Sequence, residues 1–341
     1  MNAEDSAVFV STGQLPSPQR VRMLVTEAHS RFASVDEGRP SDVYPALARV
    51  SNDLFGICVV GARGGAYGVG DADVEFTIMS VAKPFVFALV CAASDPQHVR
   101  RRIGVNATGL RFNSLAAIEL HDEGRTNPMV NPGAIATTSM VPGVTIDERW
   151  EFIVDGLSRF AGRRLTLDED VYRSASETNY VNRSIANLLE SRRALTGDPA
   201  EAVDLYTRQS TLAVTARDLA AMGATLALGG VNPLTGERVV AEETCRYVLA
   251  VMTTAGLYET SGDWLYDVGL PGKSGIGGGI VTVAPGKGGL GIFSAPLDEA
   301  GNSVRGQLAA RFLSRALGLD IFRSRAGGSE PAPEAGGSEP G

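Results

Sequence analysis

The sequence has few of the side chains from which disulfide frameworks and zinc sites are built. Its 341 residues include only three cysteines and three histidines, and these lie far apart: Cys58, Cys91, Cys245, His29, His98 and His121. An odd number of cysteines at such distances does not indicate a disulfide framework, and no two histidines stand at the spacing that zinc ligands need. We therefore expect neither a disulfide nor a bound metal.

Long hydrophobic runs and an excess of positive charge are also missing. The longest apolar run, Phe85 to Ala93, is far shorter than the roughly 20 residues that span a bilayer. The first residues, MNAEDSAVFVST, are acidic instead of basic, which argues against a secretory signal. A net charge of -8 and a pI near 5.1 offer no basic surface to nucleic acid. The sequence predicts a cytoplasmic protein that binds neither membrane nor nucleic acid, which leaves small molecules and protein partners.

Lysine is the rarest charged residue. Of the 31 basic side chains 28 are arginine, and the three lysines are Lys83, Lys273 and Lys287. Lysine, unlike arginine, can lose its proton when it is buried, so a sequence that otherwise uses arginine would keep lysine where a proton must be transferred. Codon bias combined with chance would give the same composition, and composition alone does not decide between the two explanations.

The order of the sequence patterns predicts an α+β fold. Apolar and alternating runs suggest a strand hairpin over 54–78, amphipathic segments dominate from about 80 to 255, and a second hairpin over 278–296 precedes a helix at 302–317. Because the hairpins lie at opposite ends of the chain, this order favours one antiparallel β-sheet built from both ends and flanked by helices. An α-helical subdomain would be inserted over about 100–255, and alternating βα units are disfavoured.

The two ends of the chain carry boundary signals. Ser17 and Pro18 predict the N-cap and first residue of an opening helix, so we expect an N-terminal extension over 1–16 and one ordered domain over 17–322. The last sixteen residues contain AGGSEP twice, with three glutamates and no basic residue, which predicts a disordered acidic tail over 323–341. Glycine is concentrated between 262 and 291, where the sequence predicts tight turns.

A Ser-x-x-Lys tetrapeptide, Ser80 to Lys83, precedes the apolar segment PFVFALVCAA, which predicts a helix. Residues three apart share a helix face, so the Ser80 hydroxyl and the Lys83 amine would lie side by side at the helix N-terminus. A lysine whose charge is destabilised by burial and by the positive helix end can take the serine proton and make it a nucleophile. The same residues also fit an N-capping serine beside a surface lysine, so the tetrapeptide alone is a weak signal.

Two further segments fit the same chemistry as the Ser-x-x-Lys tetrapeptide. Lys273-Ser274-Gly275 leads into the strand IVTVA, and serine acyl-transfer enzymes pair S-x-x-K with a K-[ST]-G strand whose backbone N–H helps to form an oxyanion hole. The alternative is a flexible or phosphate-binding loop, although the P-loop order of residues is missing. The segment NPMVNPGA (127–134) predicts a polar loop whose asparagines either hold a substrate amide or carboxylate or merely form a turn.

With these motifs the chain resembles the serine-dependent glutaminase family, which belongs to the β-lactamase and penicillin-binding-protein fold group. The matching motifs occur in the family's order and cover roughly residues 20–320: SVAKP (80–84), NPMVNPGA (127–134), GGVNPLTGERV (229–239), GLYETSGDW (256–264), VGLPGKSGIGGG (268–279) and APLDEAGNSVRG (295–306). The resemblance implies that a serine attacks the γ-carboxamide of L-glutamine, ammonia leaves, and water hydrolyses the γ-glutamyl ester to L-glutamate. It implies a catalytic domain over 17–322, no cofactor, and a homodimer or homotetramer.

The resemblance also assigns roles by position. It implies that Ser80 is the nucleophile, Lys83 the general base and Tyr258 a proton carrier near the Ser80 oxygen. The backbone N–H groups of Ser80 and Ile276 would form the oxyanion hole, with Ile276 standing where the family usually has Val. The remaining substrate-contacting positions would be Tyr44, Asn131, Asn182 and Tyr206. Each of these alone is also compatible with a core tyrosine or a capping asparagine.

Several departures from the family pattern cluster around these positions. Met79 stands where the family usually has Gln, Pro132 changes the NAGA turn, and Val181 replaces an Arg. Ala175 stands where the family has a Glu that is expected to hold the α-ammonium of the substrate. Glu177 is a poor substitute, because two residues along a helix turn a side chain by about 200° to the other face.

Three functions therefore remain open for this sequence. The first is hydrolysis of L-glutamine. The second is a serine hydrolase or acyl transferase that acts on a γ-glutamyl amide or hydrazide with a modified amino end. The third is a catalytically silent, glutaminase-like protein that binds a ligand or a partner. An assay of ammonia release from glutamine by the purified protein distinguishes these three functions.

Overall fold

The computed structural model describes residues 13–323. The helices are α1 (Pro18–Phe32), α2 (Ala82–Ala93), α3 (Pro96–Ile103), α4 (Ala116–Glu119), α5 (Asn131–Ser139), α6 (Ile146–Ala161), α7 (Glu169–Thr178), α8 (Tyr180–Ser191), α9 (Pro199–Ser210), α10 (Ala216–Ala227), α11 (Glu242–Ala255), α12 (Ser261–Val268) and α13 (Val304–Ala316). The strands are β1 (Gly56–Gly61), β2 (Ala66–Gly70), β3 (Phe76–Thr77), β4 (Thr166–Leu167), β5 (Leu212–Val214), β6 (Gly272–Ser274), β7 (Gly279–Ala284) and β8 (Gly288–Phe293). Short 3-10 turns occur at Leu47–Arg49, Met79–Val81, Asp122–Gly124 and Tyr258–Thr260.

The main sheet is antiparallel and has the strand order β2-β1-β8-β7-β6. Its centre joins the two ends of the chain, since Val59 of β1 pairs with Leu290 of β8. This confirms the predicted sheet built from both ends. One predicted strand is misplaced: only Phe76 and Thr77 form β3, and β3 belongs to a separate three-stranded sheet with the order β3-β5-β4. The pairing with β5 continues past β3, since the Ile78 backbone N–H donates to the backbone oxygen of Leu212, the first residue of β5.

Both faces of the main sheet are covered. Ile57 and Val59 of β1 face the cluster that includes α1 and α13, whereas Cys58 and Val60 face alanines of α10. A Cβ added at Gly289 would overlap the backbone of α10, and the same holds at Gly291. The glycines of β8 therefore allow a helix to approach the sheet closely and do not form turns, so the prediction of tight turns was wrong for this strand.

The remaining helices pack around α2. This helix is buried from Ala82 to Cys91 and contacts α5, α6 and α11. Helix α10 lies inside the predicted helical insertion but packs against the main sheet. In this way α2 joins the sheet to the helical half of the molecule, and the residues at its N-terminus lie between the two.

The structure describes only part of the two end segments that the sequence predicts. Helix α1 begins at Pro18 as predicted, and the Ser17 hydroxyl accepts a hydrogen bond from the Arg20 backbone N–H at 3.3 Å. Residues 1–12 of the predicted extension and 324–341 of the predicted tail lie outside the described residues. Within 13–323, no helix is both long and apolar enough to cross a membrane.

Candidate active site

Ser80 lies where the main sheet meets the helical half. It is the middle residue of the 3-10 turn Met79–Val81, which continues directly into α2. Lys83 stands in the first turn of α2, and both side chains are buried. The residues of α2 that flank Lys83 are apolar and buried, so the amine depends for its hydrogen bonds on groups from neighbouring segments.

Within the part of the chain that the structure describes, the hydrogen-bond partners of the Lys83 amine are neutral. Its Nζ donates to the side-chain oxygen of Asn131 at 2.7 Å and to the backbone oxygen of Met129 at 3.4 Å. Burial destabilises the ammonium and lowers the pKa of Lys83 to about 7. A neutral amine has two N–H bonds and one lone pair, so with both N–H bonds engaged the lone pair remains to accept a proton.

The turn after β6 lies against the turn that carries Ser80. Strand β6, which contains Lys273 and Ser274, is at the edge of the main sheet and is fully buried. A Cβ added at Gly275 would lie 3.2 Å from the Ser80 backbone nitrogen, so only glycine fits here without pressure on Ser80. The next residue, Ile276, lines the same cavity as Ser80. The predicted K-S-G strand is thus brought to the predicted nucleophile.

Tyr258 approaches Ser80 from the turn after α11. Its hydroxyl donates to the Ser274 backbone oxygen at 3.2 Å, and the Ser80 side chain lies close enough to influence the pKa of Tyr258. The buried Lys273 Nζ lies 4.3 Å from the Tyr258 ring centroid and donates to the same Ser274 oxygen at 2.6 Å. Burial raises the pKa of Tyr258 well above its usual range, so its hydroxyl keeps its proton at neutral pH.

Two non-glycine residues at this site have left-handed backbone conformations. Met79 has φ of 46° and Tyr258 has φ of 54°. Such conformations cost of order 1–3 kcal/mol and tend to occur at functional sites, where the surrounding structure enforces them. The sequence does not indicate these conformations, because glycine is the residue that usually signals a positive φ and neither position is a glycine.

A chain of amide hydrogen bonds leads away from Lys83. Asn131 Nδ2 donates to Asn182 Oδ1 at 2.9 Å, Asn182 Nδ2 donates to Asn179 Oδ1 at 2.6 Å, and Asn179 Nδ2 donates to Thr207 Oγ1 at 2.9 Å. Asn179 and Thr207 are not among the site residues that the sequence predicts. The spacing of Asn179 three residues before Asn182 is the one signal that could have indicated a shared face.

Two tyrosine hydroxyls donate hydrogen bonds to this chain of amides. Tyr206 donates to Asn131 Oδ1 at 3.1 Å, and Tyr44 donates to Asn179 Oδ1 at 3.3 Å. Burial raises the pKa of Tyr44 to about 12 and that of Tyr206 well above its usual value, so both remain donors. Asn131 is the first residue of α5 and not part of a loop, because Pro132 fits the first turn of a helix as well as it fits a turn.

These residues surround a cavity of about 180 Å³. Six of the predicted site residues line it: Tyr44, Ser80, Asn131, Asn182, Tyr206 and Ile276. The other two do not line it: Lys83 donates to the lining residue Asn131, and Tyr258 lies beside Ser80. Ala175 is a buried part of the wall, whereas Glu177 is exposed on the other face of α7, as the helical spacing predicts. Within residues 13–323, no group of three or more metal-ligating side chains converges.

Comparison with known proteins places this site in a family. Residues 38–322 match the family model described as Glutaminase. A Yersinia pestis protein named Glutaminase 2 is 67% identical over 316 residues, which are 93% of either chain. The solved structure of the probable glutaminase ybaS has a TM-score of 0.89 and 43% identity, and the match covers 90% of this chain and 99% of that one.

A further similar solved structure contains a covalently bound compound. The Bacillus subtilis glutaminase YbgJ, in a covalent complex with 5-oxo-L-norleucine formed by reaction with 6-diazo-5-oxo-L-norleucine, has a TM-score of 0.79 and 29% identity. That match covers 89% of this chain and 99% of YbgJ. The chain therefore belongs to the glutaminase family and has its β-lactamase-like α+β fold.

Proposed function

We propose that this protein hydrolyses L-glutamine to L-glutamate and ammonia through a γ-glutamyl ester on Ser80. The observation that carries the proposal is the placement of Ser80 just before Lys83, a buried lysine whose pKa is lowered to about 7 and whose partners are neutral. A neutral amine beside a serine is the base that nucleophilic attack requires. The relatives named glutaminase and the covalent YbgJ complex support the same chemistry.

The first half-reaction forms the ester. Ser80 Oγ attacks the γ-carbonyl carbon, its proton moves to Lys83 Nζ, and the carbonyl π electrons move onto the oxygen. The backbone N–H groups of Ser80 and Ile276 would stabilise that oxyanion. The C–N bond then breaks and its electron pair stays on nitrogen. Tyr258 is assigned the donation of a proton to this nitrogen, with Lys83 restoring the Tyr258 proton, so ammonia leaves and Lys83 is neutral again.

The second half-reaction uses the same groups on water. Lys83 takes a proton from a water molecule as its oxygen attacks the ester carbonyl, and the same two N–H groups stabilise the new oxyanion. The C–O bond to Ser80 breaks, and the Lys83 proton returns to Ser80 Oγ. L-Glutamate leaves, and no group of the protein has changed its charge. The remaining lining residues Tyr44, Asn131, Asn182 and Tyr206 would bind the amino-acid end of the substrate.

The test is ammonia release from L-glutamine by the purified full chain, with hydroxylamine present in a parallel reaction. An acyl-enzyme partitions between water and hydroxylamine, so we expect ammonia to equal the sum of glutamate and γ-glutamyl hydroxamate. Folded protein that releases no ammonia from any γ-carboxamide would refute the proposal. Ammonia release without any hydroxamate would refute the covalent intermediate.

The predicted homodimer or homotetramer and the cytoplasmic location also belong to this proposal. They are supported by membership of the glutaminase family. Light scattering on the purified chain gives the subunit number directly, and a monomer at working concentration would contradict the prediction.

A further inference from the structure

We infer that the preferred substrate of this cavity has an uncharged amino end, as in an N-acylated glutamine, and that free L-glutamine is the weaker substrate. The inference rests on the proposed function, because it concerns the same cavity and the same acyl transfer to Ser80. It adds the chemical class of the group that lies opposite the γ-carboxamide.

The cavity wall offers no charge to a free amino acid. Within residues 13–323, none of the 17 residues that line the cavity is Asp, Glu, Lys or Arg. The α-ammonium of glutamine would leave water without gaining a carboxylate partner. Losing such a charge-assisted partner commonly reduces binding by about 30-fold to several thousand-fold.

Three amide oxygens of the wall already accept hydrogen bonds. The side-chain oxygen of Asn131 accepts two hydrogen bonds, at 2.7 and 3.1 Å, and that of Asn179 accepts two, at 3.3 and 2.6 Å. The oxygen of Asn182 accepts one, at 2.9 Å. An ammonium has three N–H donors, whereas an N-acyl amide has one, so the acylated substrate leaves fewer donors unpartnered.

The two lysines near the cavity give an ammonium no counter-charge. Lys83 and Lys273 are both buried, and burial lowers the pKa of each toward the neutral amine. The nearby carboxylate of Glu259 is exposed and accepts a hydrogen bond from the backbone N–H of Phe112 at 3.2 Å. Both substrates carry the α-carboxylate, and only glutamine adds an ammonium, for which the described lining of the cavity supplies no carboxylate.

The cavity has apolar surface where an acyl group would lie. Ala175 is a fully buried part of the wall, so no long side chain fills the space beside it. At the mouth, Val43 is 54% exposed and Val181 is 49% exposed, and both line the cavity. An acyl group placed there would cover exposed apolar surface, which favours binding.

The experiment measures kcat/KM for ammonia release from N-acetyl-L-glutamine and from L-glutamine. For the wild type we expect the value for N-acetyl-L-glutamine to be at least as large as that for L-glutamine. In Ala175→Glu the ratio of glutamine to N-acetylglutamine should rise by about 30-fold or more, because a carboxylate then faces the ammonium. Ala175→Gln is the matched control, since it has the same length without the charge, and its ratio should stay within a few-fold of the wild-type value.

A second readout needs no substitution. As pH rises through the pKa of the amino group of glutamine, the neutral amine replaces the ammonium, so kcat/KM for glutamine should rise relative to that for N-acetylglutamine. Titrations of the enzyme affect both substrates and cancel in the ratio.

Three results would overturn the inference. The first is a wild type that prefers L-glutamine. The second is Ala175→Glu with no greater shift in the ratio than Ala175→Gln. The third is a selective loss of glutamine activity in Glu259→Gln, which would identify Glu259 as the ammonium partner. Failure of the proposed function looks different, because ammonia would then be released from neither substrate.

Discussion

Lys83 Nζ and Asn131 Oδ1 are 2.7 Å apart, and this contact joins the first turn of α2 to the first residue of α5. Because the Asn131 oxygen accepts from Lys83, the Asn131 amide nitrogen must point the other way, toward Asn182. The direction of each later donor follows, through Asn179 to Thr207. The orientation of the substrate-facing amides is therefore tied to the base.

Asn131→Asp should shift the pH dependence of the reaction. A carboxylate opposite Lys83 favours the ammonium, so the pKa of Lys83 rises and less neutral base exists at pH 7. We expect the acid limb of the kcat profile to move to higher pH by at least one unit, with partial recovery of activity in alkaline buffer. A uniform loss at every pH, with no movement of the limb, would mean that Asn131 acts only on packing or on substrate binding.

In the wild type, kcat should increase with pH on the acid side. Burial lowers the pKa of Lys83 to about 7, and the proposed base is the neutral amine. The rate should therefore rise as pH increases through about 7 and level off above it, roughly tenfold per pH unit on the acid side. The measurement is kcat for ammonia release between pH 5 and 9. Activity that falls across this interval would contradict a neutral lysine base.

Replacement of Lys83 by arginine should be nearly as damaging as replacement by alanine. Arginine keeps the positive charge but does not give up its proton at any working pH. We expect both variants to lose at least about 10²-fold in kcat, which is the lower range for general-base catalysis. Near-normal kcat in Lys83→Arg would show that the site needs a charge and not a proton acceptor.

Gly275→Ala should reduce catalysis without unfolding the protein. The added Cβ would lie 3.2 Å from the Ser80 nitrogen and 3.0 Å from the Ile78 oxygen, so the proposed oxyanion N–H would be displaced by a few tenths of an ångström. Loss of one oxyanion donor costs roughly 10²- to 10³-fold in kcat. Gly262→Ala is the matched control, because nothing lies within 4 Å of its added Cβ in α12. We expect Gly262→Ala to keep full activity and to gain about 0.5–1 kcal/mol of stability. Equal kcat in the two variants would refute the oxyanion role.

Sequence patterns indicated much of the architecture for physical reasons. The apolar runs of β1 and β8 predict strands because both faces of these strands are covered, and Ser17 predicts a cap that the structure contains. The scarcity of lysine was also informative. All three lysines, at positions 83, 273 and 287, are buried, so this chain uses arginine wherever a surface cation is enough.

Other features depend on contacts that a single segment cannot encode. Phe76 and Thr77 continue a strand-like pattern, but pairing with β5 takes them out of the main sheet. The role of Gly291 depends on α10, which lies 64 or more residues away in the sequence. Asn179 and Thr207 became visible as site residues only when α7, α8 and α9 came together around the cavity.

Covalent catalysis by Ser80 is tested most directly by trapping the acyl-enzyme. We would incubate the wild type and Ser80→Ala with 6-diazo-5-oxo-L-norleucine, map the adduct by peptide mass spectrometry, and measure ammonia release by both proteins. We expect a single adduct on Ser80, no adduct in Ser80→Ala, and a loss of roughly 10⁴-fold or more in turnover by a variant that remains folded. An adduct on another residue, or more than a tenth of the wild-type rate in Ser80→Ala, would contradict covalent catalysis by Ser80.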